Sequence, residues 1–140
     1  MRLFEDLSVG LALPPCARVV TWEDVEAYAA ASGDDNPLHR SAEVAFAAGF
    51  EGIIAHGMFT MGHLTQCLVD WLGGARPISR ISAGFRAPVF LGDTIVAGGA
   101  VRAVDPALRT ASFELWVTVD RHGTTEFPIK RGSAELTFPR

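Results

Sequence analysis

Gly57-Met58-Phe59-Thr60-Met61-Gly62-His63-Leu64-Thr65-Gln66-Cys67-Leu68-Val69-Asp70-Trp71-Leu72, closed by Gly73-Gly74, is the stretch whose reading decides the fold. Only His63, Gln66 and Asp70 in it are strongly polar, which predicts a long helix over 57–72 that is buried nearly all round. Beyond it the chain changes character and alternates, with Val, Thr and Phe recurring from Ile78 onward. Four strands are predicted, over 78–90, 94–104, 110–120 and 125–138. The breaks between them, Leu91-Gly92-Asp93, Asp105-Pro106 and Arg121-His122-Gly123-Thr124, are turn chemistry. Strands joined by short connections make an antiparallel, meander-like sheet. One buried helix beside a curved antiparallel sheet implies an α+β fold in which the sheet wraps the helix.

Upstream, residues 17–21 read as a short strand. Thr21 followed three residues later by Asp24 resembles a capping box, so a helix is predicted from Trp22 to about Ser32. Val25, Tyr28 and Ala29 share its inward face. Gly33 ends it, because glycine takes a positive φ without a Cβ penalty. The stretch 34–55 is irregular except for a short helix around 42–48 with Ser41 as its cap.

A chain of 140 residues predicts one domain, 1–140, able to bury roughly two-thirds of its unfolded surface. The hydrophobic fraction of 49% and mean hydropathy of +0.22 leave apolar surface that a subunit interface would hide, which favours an oligomer. A net charge of −4 with no basic run argues against nucleic acid as the main partner. The two cysteines, Cys16 and Cys67, have a separation that fits neither a metal-ligand pair nor a redox pair, so they are expected as thiols in a reducing compartment. The acids of Met1-Arg2-Leu3-Phe4-Glu5-Asp6 do not fit a secretion signal, and no apolar run reaches the roughly 18 residues that span a bilayer. The cytoplasm is the expected location.

The chemistry centres on Gly33-Asp34-Asp35-Asn36-Pro37-Leu38-His39. Asp34 and His39 stand five residues apart across a turn braced by Pro37, which fixes its own φ and pushes Asn36 towards extended geometry. The Asn36 side chain can bond nearby backbone and stiffen the loop. A carboxylate and an imidazole facing one volume can hold a water molecule and move a proton near neutral pH. Adding water to a double bond, or removing it, needs such a pair. The second segment is Ala55-His56-Gly57-Met58. Gly57 is the first residue of the predicted helix, where unpaired N–H groups and partial positive charge can polarise a carbonyl oxygen. Glycine there lets a ligand approach the backbone, or lets the helix pack tightly.

The other histidines read more plainly. His56 is expected to orient the helix start, His63 to be hydrogen-bonded in the core or an interface, and His122 to lie in a solvated turn. Asp34, His39 and His56 show no metal-ligand spacing, so no metal is expected, and no nucleophile elbow or phosphate-cradling loop is present. Arg76, Arg80, Arg86 and Lys130-Arg131 are candidates for gripping phosphates, and the sequence does not choose among them.

Three segments resemble the MaoC-like dehydratases: Asp34-x-Asn36-Pro37-Leu38-His39, Gly49-Phe50-x-Gly52-x-Ile54-Ala55-His56-Gly57-Met58 and Phe85-Arg86-Ala87-Pro88-Val89-x-x-Gly92-Asp93. That group includes (R)-specific trans-2-enoyl-CoA hydratases and (3R)-hydroxyacyl-thioester dehydratases. The resemblance runs from Phe4 to the last strand. It implies a hot-dog fold and a homodimer, a heterodimer being the variant, with active sites near the subunit boundary. It implies Asp34 and His39 as the catalytic pair, the Gly57 N–H as the carbonyl-binding group and Asn36 as the residue that shapes the loop. It also implies no metal or redox cofactor, and an acyl group carried on coenzyme A or acyl carrier protein. Two departures stand out: Asp35 follows Asp34 where an apolar or aromatic residue is usual, and Ser41 stands where an acid is common. Two other readings stay open at this point. One is a non-catalytic acyl-thioester-binding or heterodimer-stabilising subunit, and the other is a hot-dog thioesterase.

Overall fold

The computed structural model describes residues 1–139. After a 3-10 turn at Phe4–Asp6 come β1 (Ala12–Val19), α1 (Trp22–Ser32), a 3-10 turn at Pro37–His39, α2 (Ala42–Ala47) and α3 (Gly57–Leu72). The second half is β2 (Ile78–Ser82), β3 (Thr94–Asp105), β4 (Thr110–Arg121) and β5 (Thr124–Thr137). The strands form one five-stranded sheet in the order β1-β3-β4-β5-β2, with every recorded pairing antiparallel. The sheet curls around α3 in the hot-dog arrangement.

Period-two alternation along β4 explains the wrap. Ala111, Phe113, Leu115, Val117 and Val119 are all buried on one face. They meet a stripe of α3 that includes Leu64, Leu68 and Leu72, each 0% exposed. The helix is not buried all round, as its composition predicts. Gly57, Met58, Gly62, Gln66 and Asp70 are not buried, because one five-stranded sheet covers only one side of a helix.

Four other expectations change. The first strand begins at Ala12 rather than residue 17, despite Pro14 and Pro15. It is an edge strand with a register shift between Leu13 and Cys16, where residues without an N–H are tolerated. The second strand ends at Ser82 rather than near residue 90. The next segment touches its neighbours only through isolated bridges, Phe85 to Ile129 and Phe90 to Ile54. The meander holds for β3-β4-β5, but β2 pairs with β5, so residues 83–93 cross from one side of the sheet to β3. Finally, Cys16 and Cys67 are joined as a disulfide between β1 and α3, since the wrapped sheet lays its edge strand against the helix. No helix among the described residues is long and apolar enough to cross a membrane.

Helix α1 carries the capping box that its sequence predicts. The Asp24 N–H donates to Thr21 Oγ1 at 3.2 Å, and the Thr21 N–H donates to the Asp24 carboxylate at 3.1 Å. Arg18 on β1 donates to the same carboxylate at 2.6 Å. That hydrogen bond holds the Asp24 carboxyl below the usual aspartate range, with burial opposing and the Thr21 bonds reinforcing. A lowered carboxyl contributes stability above its unfolded value, near pH 4, and loses it as pH falls through the folded value. Asp24→Asn should therefore cost about 0.5–1.5 kcal/mol at pH 7, and the gap to wild type should close near pH 2. Urea denaturation of both proteins at the two pH values checks this; an equal gap at both would contradict it.

Candidate active site

The site is assembled from the end of α1, the turn after it, and the start of α3. Gly33 closes α1 in the left-handed region at φ 74° and turns the chain out. The Asp34 N–H then donates to Ser32 Oγ at 3.1 Å, while the Asp34 carboxylate accepts the Asn36 N–H at 3.2 Å. Asn36 Oδ1 accepts the Leu38 N–H at 3.0 Å and caps the 3-10 turn that Pro37 opens. Asn36 and Pro37 thus shape the loop by the local bonds expected of them. His39, at the end of that turn, is 9% exposed.

Two backbone carbonyls orient the imidazoles. His39 Nδ1 donates to Ile54 O at 2.7 Å, which leaves Nε2 as its free nitrogen. His56 Nε2 donates to Asp34 O at 3.0 Å, which leaves Nδ1 free, buried and without a partner among the described residues. The two rings stack at 3.8 Å between centroids, and Tyr28 of α1 lies 4.8 Å from His56. A carboxylate oxygen of Asp34 and one ring nitrogen each of His39 and His56 lie within 4.8 Å of one another. One water molecule can bridge groups at that spacing, and so can a cation.

Gly57 opens α3, and its N–H makes no hydrogen bond among the described residues. A Cβ there would sit 3.2 Å from the Phe85 ring, so a larger residue needs that ring to yield by a few tenths of an ångström, and glycine leaves the amide open to approach. A cavity of about 310 Å³ opens beside it, lined among others by His39, Gly57, Thr60, Phe50, Phe85 and Pro128. Asp34 is not in the cavity wall. It is exposed and meets the histidine pair from the solvent side.

The sequence candidates therefore divide. Asp34, His39 and Gly57 come together on one small region. Of the arginines and lysines offered for gripping phosphates, Arg86 borders the cavity. Asp35 is turned away, paired with Arg40 at 2.5 Å, and Ser41 caps α2 by accepting the Val44 N–H at 3.3 Å. His122 lies exposed in a turn at φ 51°. His56 reaches further than its expected role, since at 2% exposure it stacks on His39 and ties Asp34 to α3. Thr60, which the sequence offers only as part of an apolar helix, also belongs to the site. It is 1% exposed, lines the cavity, and its hydroxyl has no partner among the described residues. A lone hydroxyl within an apolar run is the signal that singles it out.

An unpaired buried hydroxyl destabilises a fold by about 1–3 kcal/mol. Thr60→Val should therefore leave the ligand-free protein as stable as wild type or more so, by up to about 1 kcal/mol. Urea denaturation measures this, and a loss above that amount would mean that the hydroxyl is bonded.

A MaoC like domain matches residues 13–121 of this chain. An (R)-specific enoyl-CoA hydratase of Rhodospirillum rubrum is 32% identical over 120 residues, covering 85% of this chain and 83% of its own length. A mitochondrial 3-hydroxyacyl-[acyl-carrier-protein] dehydratase of Arabidopsis thaliana is 41% identical over 87 residues, which is 62% of this chain and about half (51%) of that protein. The solved (R)-hydratase from A. caviae involved in PHA biosynthesis superposes with a TM-score of 0.85 at 27% identity, covering 96% of this chain and 99% of that one. With the fold, the three motif segments and the family match in agreement, the chain belongs to the MaoC-like dehydratase family.

Proposed function

We propose that this protein adds water to trans-2-enoyl thioesters to give (3R)-hydroxyacyl thioesters, and catalyses the reverse dehydration. The observation that carries the reading is the convergence of the Asp34 carboxylate and the His39 imidazole beside the unpaired Gly57 N–H. The names of the Rhodospirillum and Arabidopsis relatives support it.

In this reading the thioester carbonyl rests on the Gly57 N–H, which draws electron density from the conjugated double bond and stabilises the enolate. Asp34 and His39 hold one water between them. Its oxygen bonds to C3, one proton leaves it through this pair, and a proton reaches C2 from the same face. His39 Nδ1 is committed to Ile54 O, so proton traffic runs through Nε2. The chain's own groups suffice for these steps, and the proposal includes no cofactor. Arg86 at the cavity margin supplies a positive charge for the phosphates of a coenzyme A or carrier-protein arm. A homodimer completes the proposal: Met58 and Phe85, 53% and 48% exposed beside the site, are covered by a second copy.

Crotonyl-CoA hydration, followed by loss of ultraviolet absorbance of the conjugated thioester, tests the roles. Asp34→Asn and His39→Ala should each lower the rate by about 10²–10⁴-fold while remaining folded. Wild-type rates in both folded variants would overturn the mechanism, and release of free thiol would mean hydrolysis instead.

The amide at residue 57 has its own test. Proline is tolerated at the first helical position but lacks the N–H, whereas alanine keeps it. Both substitutions bring a Cβ against Phe85. Gly57→Pro should be slower than Gly57→Ala by about 10²–10³-fold, and equal rates would remove the amide from the mechanism.

A further inference from the structure

Helix α3 carries two threonines whose hydroxyls are spent differently. Thr65 Oγ1 donates to the Met61 carbonyl one turn back at 2.8 Å, a usual outlet for a threonine inside a helix. Thr60 lacks that outlet. The carbonyl one turn back from it, His56 O, already accepts the Phe59 N–H at 3.1 Å and the Thr60 N–H at 3.4 Å. A carbonyl oxygen has two lone pairs, and here both are taken. His56 Nδ1, four residues back, is buried and equally unpartnered, so the ring and the hydroxyl do not satisfy each other.

The place of Thr60 in the helix says what the hydroxyl can serve. It is the fourth residue of α3 and lines the same cavity as Gly57, the first. Cα–Cβ bonds tilt toward the N-terminus of a helix, so the side chain of a fourth residue covers the first turn. Such a side chain commonly meets the residue before the N-cap. Here that residue is Ala55, which also lines the cavity and fills little of the space with its methyl group. Threonine has two accessible χ1 wells in a helix, so the hydroxyl can turn to the cavity without moving the backbone. Phe50, Phe85, Pro88, Val89 and Pro128 make much of the remaining wall apolar. An acceptor lodged at the start of α3 therefore has two donors to use, the Gly57 amide and the Thr60 hydroxyl.

We propose that the Thr60 hydroxyl is a second donor to the thioester carbonyl oxygen, beside the Gly57 N–H. This assignment rests on the acyl-thioester reading and adds a residue to it. The oxygen has a lone pair for each donor. The Thr60 bond strengthens as negative charge gathers on that oxygen in the enolate, and the proton stays on threonine throughout. A hydroxyl that is unsatisfied in the empty site is satisfied in the occupied one.

Crotonyl-CoA hydration and the absorbance of bound sorbyl-CoA test this. Sorbyl-CoA is a conjugated dienoyl thioester whose band moves to longer wavelength when its carbonyl is polarised. Thr60→Val should lower kcat by roughly 10–100-fold with KM nearly unchanged, since a bond to a charged oxygen is lost mainly in the transition state. It should also diminish the band shift given by wild type on mixing. Thr60→Ser restores the hydroxyl and should recover most of the rate and of the shift. Thr65→Val deletes a hydroxyl that already has a partner and should change neither. Wild-type kcat or an undiminished shift in folded Thr60→Val would overturn the assignment. An equal loss in Thr60→Ser would do the same, because the methyl group's packing would then be responsible. The shift needs no turnover, so it reads the donor even if the protein binds thioesters without hydrating them. Wild type that neither hydrates crotonyl-CoA nor shifts the sorbyl band overturns the acyl-thioester reading and this assignment together.

Discussion

The buried imidazole of His56 holds the candidate site together. Its Nε2–H reaches the Asp34 carbonyl, its face lies on His39, and its backbone caps α3 immediately before Gly57. Three segments that are distant in sequence thus meet on one ring. The donated proton also fixes the Asp34 backbone, so the carboxylate starts from a set position instead of swinging with the loop. His39 is fixed in turn by Ile54, whose bridge to Phe90 anchors the loop before α3 to the far wall. Catalytic groups need to be held within a few tenths of an ångström of productive geometry, and carbonyl-bound histidines supply that without long side chains.

Arg121 does the corresponding work on the other wall. Its guanidinium donates to Asp93 at 2.5 Å, to the Pro88 carbonyl at 2.6 Å, and to Glu126. Burial opposes its charge, but the hydrogen bond and charge of Asp93, with Glu126 reinforcing, outweigh this and raise its pKa further. The planar fork thereby gathers the segment after β2 against the end of β4. Together with the Arg86 N–H on the Pro128 carbonyl and the Ala55 N–H on the Val89 carbonyl, it holds residues 83–90 off the ladder in spite of their strand-like composition. In that position Phe85, Ala87 and Val89 become cavity wall. Removing the guanidinium would leave the Glu126 carboxylate and the Pro88 carbonyl without this donor and Asp93 with the Phe90 N–H, a costly defect in a partly buried place.

How much of the molecule is legible in the sequence depends on how local each determinant is. The Thr21–Asp24 box, Gly33 and the Gly73 stop act within a few residues of themselves, and they place both ends of α1 and the end of α3 as found. The Asp34–His39 turn is equally local, because Asn36 and Pro37 shape it by bonds to their neighbours. The features that the sequence hides depend on distant partners. Pro14 and Pro15 are tolerated in β1 because it lies at an edge, and residues 83–90 leave the ladder for bonds to distant partners, Arg121, Pro128 and Ala55. The depth of His56 and the pairing of Cys16 with Cys67 emerge from the sheet closing over the helix. The pocket wall is likewise non-local, since Phe85 and Pro128 line it beside His39 and Gly57.

The long helix carries these separate features on one rigid axis. Leu64, Leu68 and Leu72 are fully buried, so α3 can neither slide nor rotate against the sheet without exposing its core stripe. The direction of the Gly57 amide is therefore set by packing several turns away and not by the loop that precedes it. A donor fixed in this manner needs no reorganisation when charge develops on a bound carbonyl, which is the condition under which a single hydrogen bond contributes most to a reaction. Farther along the same helix, Cys67 ties the axis to the edge strand. The opposite face, from Gly57 through Met58, Gly62 and Gln66, is left open by the single sheet. A helix that is apolar nearly all round but wrapped on one side has a face that its own chain does not bury. That face begins at the residue whose amide the chemistry uses, so whatever covers it also closes the site.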